Sequence, residues 1–224
     1  MITSILEQAK LLGASLAGVV DLVSLRNAPS YRVYETAAFP TRVRSVLVLA
    51  LAHPEADPEL DWWGVEGGTL GNQRLQQISE SLKQWLYQEY AIFARSIPYQ
   101  VESGGIFLKD AAALAGLGII GRNNLLITPE FGSRVRLRAL FLDREVTPMR
   151  IGAFVPCDVC DMPCRVNCPR KSFVSGSYDR DACAEQMRAD EDHRVMNKEA
   201  VNGETSEIRI KYCRVCELAC PVGK

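Results

Sequence analysis

Residues Lys109 to Asp143 have the sequence KDAAALAGLGIIGRNNLLITPEFGSRVRLRALFLD, and this stretch decides between two kinds of fold. It contains Gly116-Leu117-Gly118-Ile119-Ile120-Gly121, a literal G-x-G-x-x-G. In a dinucleotide-binding fold this motif follows a strand and opens a helix, so that the helix N-terminus faces the pyrophosphate. Here the Ala- and Leu-rich segment 107–117 predicts a helix before the glycines, and residues 125–128 predict a strand after them. The reversed order argues against a nicotinamide-binding loop.

The remaining elements predict an α+β fold. Residues 45–52, SVLVLALA, form a continuous apolar run, which predicts a strand buried on both faces. The other predictions are a helix opened by the capping box Ser4–Glu7, strands at 17–22 and 100–102, a helix at 72–95, and a hairpin of strands 125–128 and 134–142.

Composition limits the function classes. The chain has 224 residues, 47% of them hydrophobic, and a formal net charge of -1. It contains no apolar run of about 18 residues, so no membrane span is expected. The first residues, MITSILEQAK, have neither a signal-peptide pattern nor a twin-arginine pair, which predicts a cytoplasmic protein. The near-zero net charge gives no general footprint for nucleic acid.

The eight cysteines predict metal ligands. All of them lie between Cys157 and Cys220, in two motifs that each end in Cys-Pro, with Cys183 between the motifs. Thiols this dense in a chain without a secretory leader are typical of metal sites. Zinc is the alternative, but zinc sites often include histidine. Bacterial two-cluster ferredoxins also place a proline after a ligand cysteine, and eight thiolates satisfy two 4Fe–4S clusters with none left over.

The spacing also predicts how the thiols are shared. In those ferredoxins the cysteine before the proline binds the other cluster. Applied here, the rule predicts set A, which is Cys157, Cys160, Cys164 and Cys220, and set B, which is Cys168, Cys183, Cys213 and Cys216. Cys183 lies on a helix that Asp179 is predicted to begin, and the alternative for it is a buried helical thiol without a cluster.

The segment Lys109–Asp143 strongly resembles the corresponding part of epoxyqueuosine reductases, which are cobalamin-dependent iron–sulfur enzymes related to reductive dehalogenases. The resemblance begins near Arg42, in RVRSVLVLALA, and continues through all eight cysteines. It implies a nitroreductase-like α/β domain of the cobalamin-binding type over residues 1–149. A ferredoxin-like domain with two 4Fe–4S clusters would follow over residues 150–224.

The resemblance also implies site residues. The glycine-rich segment would lie close to the corrin, with the contacts Gly118, Gly121, Arg122, Asn123, Asn124, Gly132 and Ser133. The alternative for these glycines is a tight turn that needs positive φ. Glu102 stands where the family has its proton-donating aspartate, and its alternative is a strand-end glutamate facing water. The chain departs from the family pattern at Gly105, where proline is common, at Arg122, where lysine is common, and at Pro163, an extra residue in the first cysteine motif.

Other basic residues allow more than one interpretation. Arg134, Arg136 and Arg138 alternate along one predicted strand. Such a row is most often a solvated edge, and the alternatives are contacts with a cobalamin phosphate or an acidic partner. His53 closes its strand, where a single histidine is most often a loop residue, and the alternative for it is contact with a site. His193 is expected to be solvated.

Two functions follow. The first is a cytoplasmic reductase that uses the clusters and cobalamin to reduce a small molecule, with Glu102 as the acid. The second is an electron-transfer or reductive-activation protein that serves a separate corrinoid or flavin partner. Either function needs an electron donor such as a ferredoxin or flavodoxin. The chain ends soon after Pro221, without the family's tRNA-binding extension, so a tRNA substrate is not expected.

Overall fold

The computed structural model describes residues 1–34, 39–64, 68–146, 154–196 and 208–224. The helices are α1 (Ile2–Leu11), α2 (Leu22–Arg26), α3 (Pro29–Val33), α4 (Leu70–Tyr90), α5 (Leu108–Leu114), α6 (Pro163–Val166), α7 (Arg180–Asp192) and α8 (Val215–Leu218). The strands are β1 (Leu16–Asp21), β2 (Ser45–Ala52), β3 (Trp63–Gly64), β4 (Gly68–Thr69), β5 (Ala94–Ser96), β6 (Ile119–Ile120), β7 (Leu126–Ile127), β8 (Val135–Leu142), β9 (Val195–Met196) and β10 (Ile208–Ile210). Single 3₁₀ turns lie at Pro58–Asp61 and Val101–Ser103. The predicted α+β class is confirmed.

The main sheet is antiparallel and has the strand order β1-β2-β8-β5. Strand β2 lies inside the sheet, with Ser45 opposite Leu142 and Ala52 opposite Val135 on β8. Its side chains alternate between two hydrophobic cores, with Val48 in one and Leu49 in the other. Because both faces of the sheet are covered, almost every residue of β2 is buried and apolar, as its sequence predicted.

Helices cover both faces of this sheet. On one face α1 and α4 contribute buried residues such as Ile5, Leu75 and Leu82. On the other face α5 packs Ala111 and Ala112 against the same strands. The result is a layered core of helix, sheet and helix around β2 and β8.

The predicted hairpin is wrong. Strand β7 pairs with β6, whereas β8 pairs with β2 and β5, and only an isolated bridge between Thr128 and Gly132 joins the two segments. The local turn was identified correctly, but the long apolar β8 is stabilised more by pairing inside the main sheet than by a two-residue neighbour. Residues 100–102 are likewise not a strand, because the 3₁₀ turn Val101–Ser103 occupies this position.

Two predicted helix boundaries, one start and one end, need correction too. Helix α1 begins at Ile2 with Met1 as its N-cap, so Ser4 lies inside the helix and caps nothing. The predicted helix 72–95 ends earlier, because Ala91 adopts a left-handed conformation after Tyr90. By contrast, Asp179 caps α7 as predicted, since its carboxylate accepts hydrogen bonds from the backbone of Asp181 and Ala182.

A second sheet joins distant parts of the chain, with the order β4-β3-β10-β9. Strand β10, just before the last cysteine motif, pairs with β3 from the long loop after β2. The predicted domain boundary at residues 149–150 lies outside the described residues. Among the residues that are described, no helix has the length and apolar character needed to cross a bilayer.

Candidate functional site

The thiols of set A are neighbours around α6. Cys164 lies on α6 and Cys220 follows α8, and both are buried. Burial raises the pKa of the Cys164 thiol, and the nearby thiols of Cys220, Cys160 and Cys157 raise it further. Cys220 therefore lies among three cysteines of the first motif although it belongs to the second.

The thiols of set B form the other group. Cys183 lies on α7 and Cys216 on α8. Burial raises the pKa of the Cys216 thiol to about 12, and the thiols of Cys213, Cys183 and Cys168 contribute to the rise. Helices α6 and α8 pack against each other, so the two groups are adjacent.

Backbone hydrogen bonds reach two of the sulfurs. The Met162 N–H donates to Cys160 Sγ and the Ser172 N–H donates to Cys168 Sγ, each over 3.4 Å. Burial pushes the pKa of the Cys168 thiol upwards, but hydrogen bonds, chiefly from Ser172, outweigh it and leave the pKa below its ordinary value. Hydrogen bonds to ligand sulfurs are one means by which proteins tune iron–sulfur clusters.

The arrangement of donors bears on the kind of metal. In the part of the chain that the structure describes, no three His, Cys, Asp or Glu side chains converge on a point that suits one ion. A zinc ion asks for four donors at about 2.0–2.3 Å from one point. A 4Fe–4S cluster has no such requirement, because each thiolate binds a different iron. Ligation by the two sets stays a prediction.

The glycine-rich segment and the start of β8 contact the last cysteine motif. Asn123 Nδ2 donates to the Cys216 carbonyl over 3.3 Å, and Ser133 Oγ donates to the Glu217 carbonyl over 2.9 Å. Arg134 donates to the Cys220 carbonyl over 3.3 Å and also to the carbonyls of residues 222 and 223. These donors hold α8 and the residues after it against the first part of the chain.

The predicted corrin contacts fall into two groups. Gly118, Asn123, Gly132 and Ser133 are buried by the protein itself. A Cβ atom at Gly118 would meet the Ile127 carbonyl, and one at Gly132 would meet the Val222 carbonyl. The other three, Gly121, Arg122 and Asn124, are partly or fully exposed.

The exposed group lies next to the first cysteine motif. Arg122 Nη2 lies 3.4 Å from Asp158 Oδ1, and both side chains are about half exposed. Lys109 Nζ donates to the Asn124 carbonyl over 2.6 Å. Glu102 is exposed on the 3₁₀ turn that ends at Gly104. Of the candidate residues outside the cysteines, Glu102, Gly121, Arg122 and Asn124 are the ones that the protein leaves partly or fully exposed.

Sequence reasoning missed a ring of alternating charges that we call the charge quartet, formed by Asp61, Arg136, Arg214 and Glu217. Arg136 Nη2 lies 2.7 Å from Asp61 Oδ1 and 2.9 Å from Glu217 Oε2. Arg214 Nη1 lies 2.6 Å from Asp61 Oδ2, and its Nη2 lies 2.5 Å from Glu217 Oε1. His53 Nδ1 adds a contact of 2.6 Å to Asp61 Oδ1.

The quartet corrects one prediction and extends another. The strand β8 that carries Arg136 is an inner strand rather than a solvated edge, and His53 lies in the loop after β2 as expected but is fully buried. Burial alone would raise the pKa of Asp61, but the hydrogen bond with His53 and the charges of Arg136 and Arg214 bring it below its ordinary value. No local sequence pattern predicts such a ring, because its members come from separate segments of the chain. His193 is exposed, as predicted.

Two small pockets open on the protein, and one of them lies beside the charge quartet. One of about 240 Å³ opens beside Arg214, between Trp62, Lys211 and Tyr212. A second of about 270 Å³ lies on the α1 and α4 side of the sheet. Pockets for drug-sized ligands usually have about 300–1,000 Å³. Neither of these two pockets is built to enclose a corrin.

Comparisons with known proteins show which proteins this chain is similar to. No family model matches it. It is 26% identical over 174 residues to the epoxyqueuosine reductase of Lactococcus garvieae, which covers 72% of this chain and 43% of that protein. It is 34% identical over 97 residues to the tetrachloroethene reductive dehalogenase of Desulfitobacterium hafniense, covering 41% of this chain and 17% of that protein. The chain is a distant homologue of the epoxyqueuosine reductases and reductive dehalogenases.

The fold agrees with that relationship. The structure of epoxyqueuosine reductase from Streptococcus thermophilus superposes with a TM-score of 0.70 at 20% identity, over 100% of this chain and 66% of that chain. The homologous dehalogenases are larger still, and one solved catabolic reductive dehalogenase matches 99% of this chain with 31% of its own, at 16% identity and a TM-score of 0.67. The chain spans about half the length of the curated epoxyqueuosine reductases it matches.

Replacing Gly132 with alanine tests whether the last cysteine motif depends on its contacts with the glycine-rich segment and the start of β8. Gly104→Ala serves as the control, because both glycines have positive φ but a Cβ at Gly104 would meet nothing within 4 Å. The backbone strain costs about 1–2 kcal/mol in both variants. Overpacking against Val222 adds about 1–3 kcal/mol in Gly132→Ala alone. Urea unfolding and iron content measure the difference, and equal losses in both variants would refute the dependence.

Proposed function

We propose that the protein is an iron–sulfur oxidoreductase in which set A and set B each hold one 4Fe–4S cluster. The observation that carries this proposal is the grouping of the eight thiols into two neighbouring fours, each completed by a cysteine from beyond the local motif. Cys220 completes set A, and Cys168 completes set B.

The arrangement supports electron transfer between the clusters. Cys164 of set A lies on α6 and Cys216 of set B lies on α8, and these two helices pack against each other, so two clusters held in this way would lie side by side. Cys213 is exposed, whereas Cys164 and Cys220 are buried. An electron donor such as a ferredoxin or flavodoxin would therefore meet set B first, and set A would pass the electrons onward.

Cobalamin fits this chain only in part. A corrin cannot rest on Gly118, Asn123, Gly132 or Ser133, because the protein's own residues cover them. Gly121, Arg122 and Asn124 stay available at the surface. We therefore favour a protein that delivers electrons to a separate corrinoid or flavin partner.

A cobalamin-dependent reductase is the second candidate. Homology favours it, and one structure with a TM-score of 0.54 to this chain is described as suggesting a mechanism for B12-dependent dehalogenation. Bound cobalamin would supply the reducing centre for a small substrate. Glu102 would then hold and deliver a proton, which its exposed position on a turn permits.

The two candidates differ in cofactor content. The protein would be purified anaerobically, reconstituted with iron and sulfide, incubated with hydroxocobalamin or flavin mononucleotide, and desalted. Electron delivery predicts cluster absorbance with neither cofactor retained, whereas the reductase predicts about one cobalamin per chain. A protein without clusters would contradict both.

Glu102→Gln tests the acid in the second candidate. If Glu102 delivers the proton, turnover of any substrate the protein reduces should fall by about 10²–10⁴-fold. Cluster content and cobalamin retention should stay unchanged, because Glu102 is exposed. Glu89→Gln, which removes an exposed carboxylate on α4, is the control and should keep full turnover. Equal turnover in the two variants would exclude Glu102 as the acid.

Transfer RNA stays outside the proposal. A solved epoxyqueuosine reductase is in complex with a tRNA stem loop carrying epoxyqueuosine. The net charge of -1 gives this chain no general electrostatic attraction to such a ligand. Incubation with epoxyqueuosine-containing tRNA tests directly whether this chain acts on tRNA.

A further inference from the structure

The charge quartet lies against set B. Arg214 directly follows Cys213, and Glu217 directly follows Cys216. Two of the four charged residues are therefore direct chain neighbours of set B cysteines.

The quartet is closed and mostly buried. The side chains of Asp61 and Glu217 are 6% and 5% exposed and that of Arg214 is 12% exposed, whereas that of Arg136 is 34% exposed. Each carboxylate contacts both arginines, so the ring carries no net charge. Burying charges is costly unless they are fully paired, and removing one leaves an uncompensated charge in a medium that screens it poorly.

The ring also links the cluster loop to the rest of the fold. Asp61 comes from the 3₁₀ turn after β2, and Arg136 comes from β8. Arg214 Nη2 donates a further hydrogen bond to the His53 carbonyl over 2.9 Å. Stability alone does not require charge here, because well-packed apolar side chains of similar size often stabilise a buried position as well as an ion pair does.

We propose that the charge quartet sets the reduction potential of the cluster held by set B. The positive charge of Arg136 raises that potential, and the negative charge of Glu217 lowers it. The inference rests on the proposed function, since it needs a cluster at set B. Reduction of a 4Fe–4S cluster adds one electron to it. A nearby positive charge favours that electron and a negative charge opposes it, and local charge is among the factors that set cluster potentials.

Opposite shifts are the expected result. In Arg136→Gln the quartet keeps two carboxylates and one arginine, so the set B midpoint potential should fall. In Glu217→Gln it keeps two arginines and one carboxylate, so the same potential should rise. Asp61→Asn removes the other negative charge and should shift the potential in the same direction as Glu217→Gln. Arg136→Lys keeps the charge and should stay close to the unchanged protein.

The measurement is a mediated redox titration of the reconstituted protein, followed by electron paramagnetic resonance of the reduced clusters. The set A cluster is the internal reference, and its shift should be the smaller. Shifts of the same sign for both charge losses, or no shift with both clusters present, would overturn the proposal. Loss of the set B cluster from all three neutralised variants would overturn it as well, because the quartet would then be needed for assembly instead. An unaltered protein without clusters would contradict the proposed function, and this inference would fall with it.

Discussion

The double variant Cys164→Ala with Cys220→Ala is expected to keep one complete cluster, with about four irons instead of about eight per chain. Both cysteines belong to set A, so either substitution alone already disrupts the set A cluster. The second substitution therefore leaves the set B cluster complete. The double variant Cys164→Ala with Cys168→Ala takes one ligand from each set and should keep no complete cluster. Iron and acid-labile sulfide content, measured after anaerobic reconstitution, separate the two variants.

The comparison is decisive because the simpler division predicts the reverse. If each cysteine motif held its own cluster, Cys164 and Cys168 would share a cluster, and their double variant would keep about four irons. Cys220 would then belong to the other cluster, and the Cys164 and Cys220 variant would keep none. The influence of Cys220 on the Cys164 thiol favours the crossed division. Cys168→Ala with Cys216→Ala is the matching control within set B.

Phe141→Ala is expected to cause the largest loss of stability outside the cysteine-rich part, about 3–5 kcal/mol. Phe141 lies on β8 and is 2% exposed. Its ring contacts Phe39 edge-on at a centroid distance of 6.2 Å, and the Arg95 guanidinium lies 5.5 Å from its centre. Truncation leaves a cavity that the paired strands on both sides of β8 cannot close.

The control for Phe141 is Phe93→Ala. Phe93 is 64% exposed and contacts Tyr87 at a ring centroid distance of 5.1 Å. Its loss should cost about 1 kcal/mol or less, since exposed positions contribute little. Urea unfolding at constant cluster content measures both variants. Similar losses at the two positions would show that β8 is not the central strand of the folded protein.

Local patterns predicted β2 well, because its burial on both faces leaves a run of apolar residues that needs no knowledge of partners. The same logic failed for β8, whose partners are β2 and β5 and not the adjacent β7. Strand pairing over long separations depends on which strands can bury most surface together, and no local pattern records that. The reversed order of helix and strand around the glycines was visible in sequence and is confirmed, since α5 precedes Gly116 and β7 follows Gly121.

The candidate site was also predictable from the sequence only in part. Cysteine spacing predicts two sets of four thiols, and the structure brings the members of each set near one another, while their ligation of clusters stays a prediction. The resemblance predicts a corrin surface at the glycine-rich segment and the start of β8, and three of its seven residues, Asn123, Gly132 and Ser133, contact the C-terminal residues of this chain. Asp61 and Arg214 pair although they are far apart in sequence, and each is individually unremarkable there. Such contacts arise only when the second sheet brings β3 and β10 together.

The central claim is that this chain holds two 4Fe–4S clusters, and its most direct test is the metal and sulfide content of the anaerobically reconstituted protein. We expect about eight irons and about eight acid-labile sulfides per chain, with both lost on removal of the thiol ligands. About two zinc ions per chain, without sulfide, would contradict the claim and identify the eight cysteines as two structural zinc sites.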